Sequence, residues 1–466
     1  MLFFDLIVTF LVAPAAASVI SLFGMKRTGY IAALVASLTD LFLSALLIFS
    51  GVTLKSGLFF VDTTTKFILL TISMVYLTSS IYSSFYIKRI KEPLIRFRWY
   101  YSLLNLFVFT MLFSVLVNNV GLLWIGIEAT TVTSALLVAL EKEKTSIEAA
   151  WRYTIIVSAG LVASLISVLF IYYAEQTLVL STLLSTHVSN PAVLALASGL
   201  AVVGYGTKAG IAPVHTWLPD AHSEAPSPIS AMFSGILLPT ALYAVYRNLS
   251  IINDTAYFHV ARDFSIGIGV LTALLASLII GSQRNYKRML AYSSMENMGI
   301  ILTGLALGGI GLVGSIVQII SHALAKSAAF YAAGNILVNL NSKKISEVSG
   351  VATKLRYSGY IFLLSCLAVS GAPPFGVFIG EFLIIIAAIQ TEYYLVAALL
   401  FVSILLTFVN LNRLAVLIVF GMGQQSSNLE FVKEEASSVI VPAVNLILSM
   451  ILGIITVGVL VSPFLG

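Results

Sequence analysis

Charge is what this chain most lacks. Only 10% of its 466 residues are Asp, Glu, Lys or Arg, against 59% hydrophobic, and the mean hydropathy is +1.02. Soluble domains carry roughly a quarter charged residues, so a soluble globular fold is excluded. Cysteine is nearly absent as well, with Cys366 alone in an apolar run. One thiol cannot build a disulfide, a four-thiolate iron–sulfur cluster or a thiolate zinc site within the chain. Walker, dinucleotide and HExxH motifs are missing, so no cofactor, metal centre or nucleotide hydrolysis is expected of it. Runs such as Leu161 to Ala174 have none of the alternation that a β-barrel needs. The net charge of +5 does not argue for a nucleic-acid partner, because the basic residues sit in short loops between apolar segments.

What is there is apolar length. Stretches of about 20 apolar residues, enough to cross a bilayer, recur from end to end and predict an all-α polytopic membrane protein. Fourteen spans are expected near 2–23, 30–51, 64–87, 100–118, 120–140, 153–174, 192–218, 227–247, 264–281, 289–307, 310–339, 358–388, 393–412 and 437–463. The N-terminus has no basic residue ahead of its apolar run, so it reads as a retained first span rather than a signal peptide. Spans 7 and 12 are long for one crossing and carry helix breakers, at Ala212-Pro213 and at Gly371-Ala372-Pro373-Pro374. Broken helices at matching places in two halves point to inverted repeats. Spans 4–8 and 9–13 are the expected five-helix repeats. That divides the chain into 1–99 (spans 1–3 and a basic loop), 100–247, 264–412, and 413–466 (a loop and span 14). Loops after odd spans carry nineteen basic residues and loops after even spans four. The positive-inside rule then makes the odd loops cytoplasmic and puts both termini outside.

The stretch from Gly204 to Arg247 organises the rest. It puts Lys208 inside an apolar segment with no neighbouring carboxylate, then Pro213, His215 and the acidic turn Asp220-His222-Glu224. A charge at mid-bilayer costs at least ~3 kcal/mol on insertion scales and usually marks an ion path. Asp40, Glu128, Lys208, Glu296, His322, Lys326 and Glu381 lie in or near spans. Asp40 is the weakest of these and is expected to be a satisfied structural group. Glu128 has no basic residue within ten positions, so it needs a cation from another span, and Lys208 is the natural partner. His322 and Lys326 are spaced i, i+4 and share a helix face, which suits a relay better than a metal site. Glu381 follows the second break. His215, seven residues after Lys208, lines the same track if the helix resumes. His222 and Glu224 are expected to be loop polar groups.

Four stretches in order, HTWLPDAHSEAPSPISAMFSG, KRMLAYSSMENMGI, SHALAKSAAFYAAGN and GAPPFGVFIGEF, resemble the antiporter-like subunits of complex I, membrane-bound hydrogenases and multisubunit sodium/proton antiporters. EAAWRY at Glu148–Tyr153 and the HSEAPSP turn look most like the hydrogenase-4 component F type. The resemblance covers roughly spans 3 to 13. It implies a fourteen-span fold with a central line of charges, set in the plasma membrane of a prokaryote. Its partners would be other membrane subunits, whose redox chemistry drives protons, or sodium, across the bilayer. By that resemblance Glu128 and Lys208 are the span-5 and span-7 charges. His322 and Lys326 form the span-11 connection, and Glu381 is the span-12 terminal residue. Glu296 and His215 complete the expected proton path. Pro239 and Asn297 depart from the pattern, standing where relatives carry titratable residues, so the continuity of the relay turns on them. The alternative is a subunit of a sodium/proton antiporter that runs on ion gradients alone.

Overall fold

Apolar runs without strand alternation leave the backbone one way to satisfy its hydrogen bonds in lipid, the α-helix, and helix accounts for nearly all of this structure. The computed structural model describes residues 2–24, 26–89, 95–141, 143–253, 255–421 and 433–465. The chain begins with α1 (Leu2–Phe23), α2 (Lys26–Phe49), a two-residue hairpin of β1 (Leu54–Lys55) and β2 (Phe60–Val61), α3 (Thr63–Arg89) and α4 (Ile95–Leu116). Next come α5 (Val120–Val138), α6 (Lys144–Glu175), the single turn α7 (Leu180–Leu183), α8 (Pro191–Ala209) and α9 (Trp217–Glu224). The middle holds α10 (Ser227–Met232), α11 (Leu238–Ile251), α12 (Phe258–Ile280), α13 (Tyr286–Leu307) and α14 (Gly309–Leu340). The single turns α15 (Ile345–Val348) and α16 (Val351–Lys354) lead to α17 (Arg356–Val369), α18 (Gly376–Gln390), α19 (Tyr394–Phe420) and α20 (Ala436–Leu465).

Twelve helices among the described residues are long and apolar enough to cross a membrane, counting α10 and α11 as one. The polar-rich α13, and the shorter apolar helices α17 and α18, stand where the other two expected spans lie. Both expected breaks are present. Span 7 stops at Ala209, where Gly210 caps α8 with φ +75°, and helix restarts only at Trp217. Span 12 stops at Val369 and restarts at Gly376. Each break contains a cis X-Pro bond, Ala212–Pro213 and Pro373–Pro374. Between α10 and α11 the helix widens into a π turn over Phe233–Leu237. Pro239 sits just beyond, and having no N–H it cannot donate to the carbonyl four residues back, which is where such a widening is accommodated. Of the basic residues that set the expected orientation, Lys91 and Lys142 lie outside the described residues.

Two compact units make up the chain. The first comprises residues 1–80, 92–217 and 236–268, and the second 81–91, 218–235 and 269–466. In the first, α6 and α8 approach so closely that a Cβ on Gly204 would stand 2.4 Å from the Ser164 nitrogen, and one on Gly160 would stand 2.5 Å from Thr207. Small residues at such crossings are how helices pack without a hydrophobic drive between them. In the second, a buried cluster around Tyr82, Tyr286, Phe330, Tyr331 and Phe362 forms the core. The Tyr82 hydroxyl donates to the Tyr331 carbonyl (2.8 Å) and to Asn335 Oδ1 (2.9 Å). Large apolar side chains such as Phe23, Trp151 and Phe401 are exposed, as suits helices whose solvent is lipid.

Candidate functional site

In the first unit the close α6–α8 crossing delivers Lys208 to Tyr153. Lys208 occupies the last turn of α8 and is fully buried, an end where unsatisfied helix carbonyls favour a cation. Its Nζ donates to Thr131 Oγ1 at 2.9 Å and to the Tyr153 hydroxyl, and stands 4.8 Å from the centre of the Tyr153 ring. Tyr153 and Ser134 share a hydrogen bond of 2.6 Å. Trp217 closes this pocket, with its ring 4.6 Å from Tyr153 and its Nε1 donating to the Thr207 carbonyl. Asn119 caps α5 by accepting from Gly121 and Leu122. That helix presents Glu128 three residues before Thr131, on the same side. Glu128 Oε1 accepts from Ser158 Oγ at 2.7 Å, while Oε2 is buried without a partner. No ion pair of 4 Å or less joins Glu128 to Lys208. The cation is held by hydroxyls, with the carboxylate one residue-turn away on the helix that supplies one of them.

In the second unit four side chains form an unbroken hydrogen-bonded row. Asn297 Nδ2 donates to Glu296 Oε2 at 2.8 Å. Gln318 Nε2 donates to Asn297 Oδ1 at 2.7 Å and reaches Glu381 Oε1 at 3.5 Å. Glu296 Oε1 and Glu381 Oε2 remain unpartnered and buried. Asn297 therefore links Glu296 to Gln318, and through it to Glu381, by side-chain amides that orient the carboxylates without titrating. The span-12 break makes room for this: Gly371 has φ +76°, and a Cβ there would stand 2.1 Å from Glu381 Oε2. Lys326 Nζ donates to the Leu290 carbonyl (2.7 Å) and to Ser293 Oγ, one turn before Glu296 on α13. His322 is fully buried one turn earlier on α14. The Ser234 backbone lies beside its ring, but neither nitrogen reaches hydrogen-bonding geometry.

His215 is not on a continuation of the Lys208 face. The helix does not resume before Trp217, so His215 lies half-buried in the turn. His222 differs more from its expectation as a loop residue. It is fully buried on α9 between the rings of Phe233 and Phe330, with Nδ1 against the Leu218 carbonyl. Glu224 ends the same helix and pairs with Lys343 at 3.1 Å. Arg288 pairs with Asp220, and Lys287 Nζ donates to the Ala225 carbonyl. The acidic turn is thus tied to the chain around α13 and α14. Sequence reasoning passed over Thr131, Tyr153, Ser158 and Gln318. Thr131 and Gln318 sit at helical spacing from Glu128 and His322, and Tyr153 ends the EAAWRY motif. Such spacing is the one signal that marks them.

The sequence profile described as NADH:quinone oxidoreductase/Mrp antiporter, transmembrane, matches residues 117–407. The hydrogenase-4 component F homolog of Methylacidiphilum infernorum (isolate V4) is 34% identical over 350 residues, covering 72% of this chain and 73% of that protein. Hydrogenase-4 component B of Escherichia coli (strain K12) is 29% identical over 333 residues, 69% of this chain but only 49% of that longer protein. Among solved structures, a chain of the archaeal respiratory complex described as a membrane-bound sulfane sulfur reductase superposes with a TM-score of 0.86. It is 24% identical, with 97% of this chain and 94% of that one covered, and so shares the fold.

Proposed function

This chain belongs to the NADH:quinone oxidoreductase/Mrp antiporter membrane family, and on that premise we propose that it is the proton-translocating, antiporter-like subunit of a redox-driven complex of the hydrogenase or complex I kind. The observation that carries the reading is Lys208, fully buried and held by Thr131 and Tyr153 hydroxyls while Glu128 waits with one oxygen unpartnered. A structural ion pair would already be closed. An open pair can close and reopen, and each closure stabilises a protonated lysine beside an ionised carboxylate. Moving one charge through 100 mV is worth ~2.3 kcal/mol, and a hydrogen bond to a charged group contributes about 1.5–3 kcal/mol. The switch therefore works in the energy range that pumping demands.

Glu296, His322, Lys326 and Glu381 are the remaining members of the proposed path, with Asn297 and Gln318 orienting the carboxylates. His215, in the turn, belongs to an aqueous approach. The two breaks and the order of helices support spans 4–8 and 9–13 as inverted repeats. The charge asymmetry of the loops supports both termini outside, and the organisms of the relatives support a prokaryotic plasma membrane.

Lys208→Ala or Glu128→Gln in the assembled complex tests the proposal. Proton pumping should fall to background, and full pumping per electron in either variant would overturn it. The family description spans Mrp antiporters as well, which keeps the gradient-driven sodium/proton antiporter as the second reading. Copurifying subunits separate the two: a redox module for the first, small antiporter subunits for the second.

A further inference from the structure

We propose that Asp40 is a second proton-exchange site, set in a polar seam through α1–α4 and separate from the Glu128–Lys208 pair. The sequence alone suggests a satisfied structural carboxylate, but among the described residues the structure supplies no partner. Asp40 is fully buried on α2, and neither of its carboxylate oxygens accepts a hydrogen bond. A mid-membrane carboxylate without a cation or donor is costly as an anion, so its stable form there carries a proton.

The surroundings give that proton a way in. Ser37, Asp40 and Ser44 lie on one face of α2, and all three are fully buried. Ser44 Oγ meets Ser73 Oγ of α3 at 2.8 Å. One turn on, Tyr76 of α3 donates to Asn105 Oδ1 of α4 at 2.5 Å. Asn105 Nδ2 reaches Ser21 Oγ of α1 at 3.4 Å, and Ser18 on the next turn of α1 meets Ser102 Oγ at 3.0 Å. Hydroxyls accept and donate in turn, so the serines and Tyr76 can pass a proton, and Asn105 fixes their orientation.

The titratable neighbours do not complete a structural pair. From α3 the facing group is Tyr76, with Lys66 ten residues earlier, about 15 Å along the helix. On α4, the Tyr101 ring packs on Tyr30 of α2, ten residues before Asp40, and Arg98 is exposed. α1 carries only the exposed Asp5. A carboxyl, four hydroxyl-bearing helices and, among the described residues, no counter-ion describe a proton site better than a salt bridge.

Infrared difference spectroscopy on the full chain in membranes, wild type against Asp40→Asn, tests this directly. A protonated-carboxyl C=O band should be present in wild type and missing in the variant. It should lose intensity as pH rises and shift in deuterium oxide. Asp40→Glu should move the band rather than abolish it, which separates loss of the group from loss of the fold. Tyr76→Phe and Asn105→Leu should slow deuterium exchange at the band at least fivefold. A missing band, a band that neither titrates nor exchanges, or exchange unchanged in both seam variants would overturn the proposal. So would a band removed by sodium at fixed pH, which would make Asp40 a cation site. None of these readouts depends on pumping, so the result stands apart from the fate of the Glu128–Lys208 reading.

Discussion

Tyr153 and Gly371 are the residues whose roles follow most directly from distance. Tyr153 supplies one of two hydroxyl acceptors to the Lys208 ammonium. Losing a hydrogen bond to a charged group costs about 1.5–3 kcal/mol, so Tyr153→Phe should slow proton translocation about tenfold or more. Lys208→Met should abolish it. The check is the ratio of protons moved to electrons transferred, measured in vesicles. Gly371 has both a left-handed φ and a carboxylate where its Cβ would be. The φ alone penalises other residues by about 1–2 kcal/mol. Gly371→Ala should therefore lower the melting temperature in detergent and reduce pumping. Gly199→Ala, in a helix with nothing within 4 Å of the added carbon, should be neutral or stabilising by up to ~1 kcal/mol. Equal melting of the two variants would contradict the packing described for Glu381.

Between elements, the clearest lock is Arg247 on α11 against Asp62 at the start of α3. The guanidinium donates to both carboxylate oxygens at 2.7 Å and to Thr65 Oγ1 at 2.7 Å, and lies 4.7 Å from the Tyr243 ring centre. Asp62 also caps α3 by accepting from the Thr65 nitrogen at 2.9 Å. Burial acts to raise the Asp62 carboxyl, but the hydrogen bonds and charge of Arg247, with help from Thr65, hold it below the ordinary value of 3.8. A carboxyl depressed in the folded state contributes stability above its unfolded value and loses it as pH falls through the folded one. Asp62→Asn should thus melt below wild type by a constant margin from about pH 5 to 8. The margin should close only below about pH 4. Leaving Arg247 buried without its partner costs on the order of 3 kcal/mol. A margin that vanished already near neutral pH would refute the lock. In the Glu296–Asn297–Gln318–Glu381 row, Gln318→Leu should uncouple the glutamates and lower pumping several-fold without changing expression. Unaltered pumping would show that the row is only packing.

For the whole molecule the testable quantity is orientation. Loops after even spans should face outward and loops after odd spans inward. Gly57→Cys in the exposed hairpin after α2 should react with a membrane-impermeant thiol reagent in intact cells. Ser346→Cys, exposed after α14, should react only after permeabilisation. Cys366 is buried and gives a low background. Reversed labelling would invert the assigned topology.

Composition and periodicity were sufficient for the all-α membrane class, for the twelve helices long and apolar enough to cross a membrane among the described residues, and for both interruptions. Lipid allows only internally bonded backbone, and proline and glycine mark where that bonding stops. Titratable residues in apolar runs were equally legible, since each carries its cost wherever it packs. Which groups meet was decided by tertiary structure alone. Glu128 and Lys208 were paired on charge, yet helix crossing puts Thr131 and Tyr153 at the ammonium instead. Asn297 brings no titratable group to the row, and only packing shows that Gln318, on another helix, ties it to Glu381. Asp40 looked like half of a satisfied pair, and the packing of α1–α4 left it without the other half. Hydroxyls and amides cost little to place anywhere in a sequence, so they carry no signal until side chains from distant spans come within hydrogen-bonding distance.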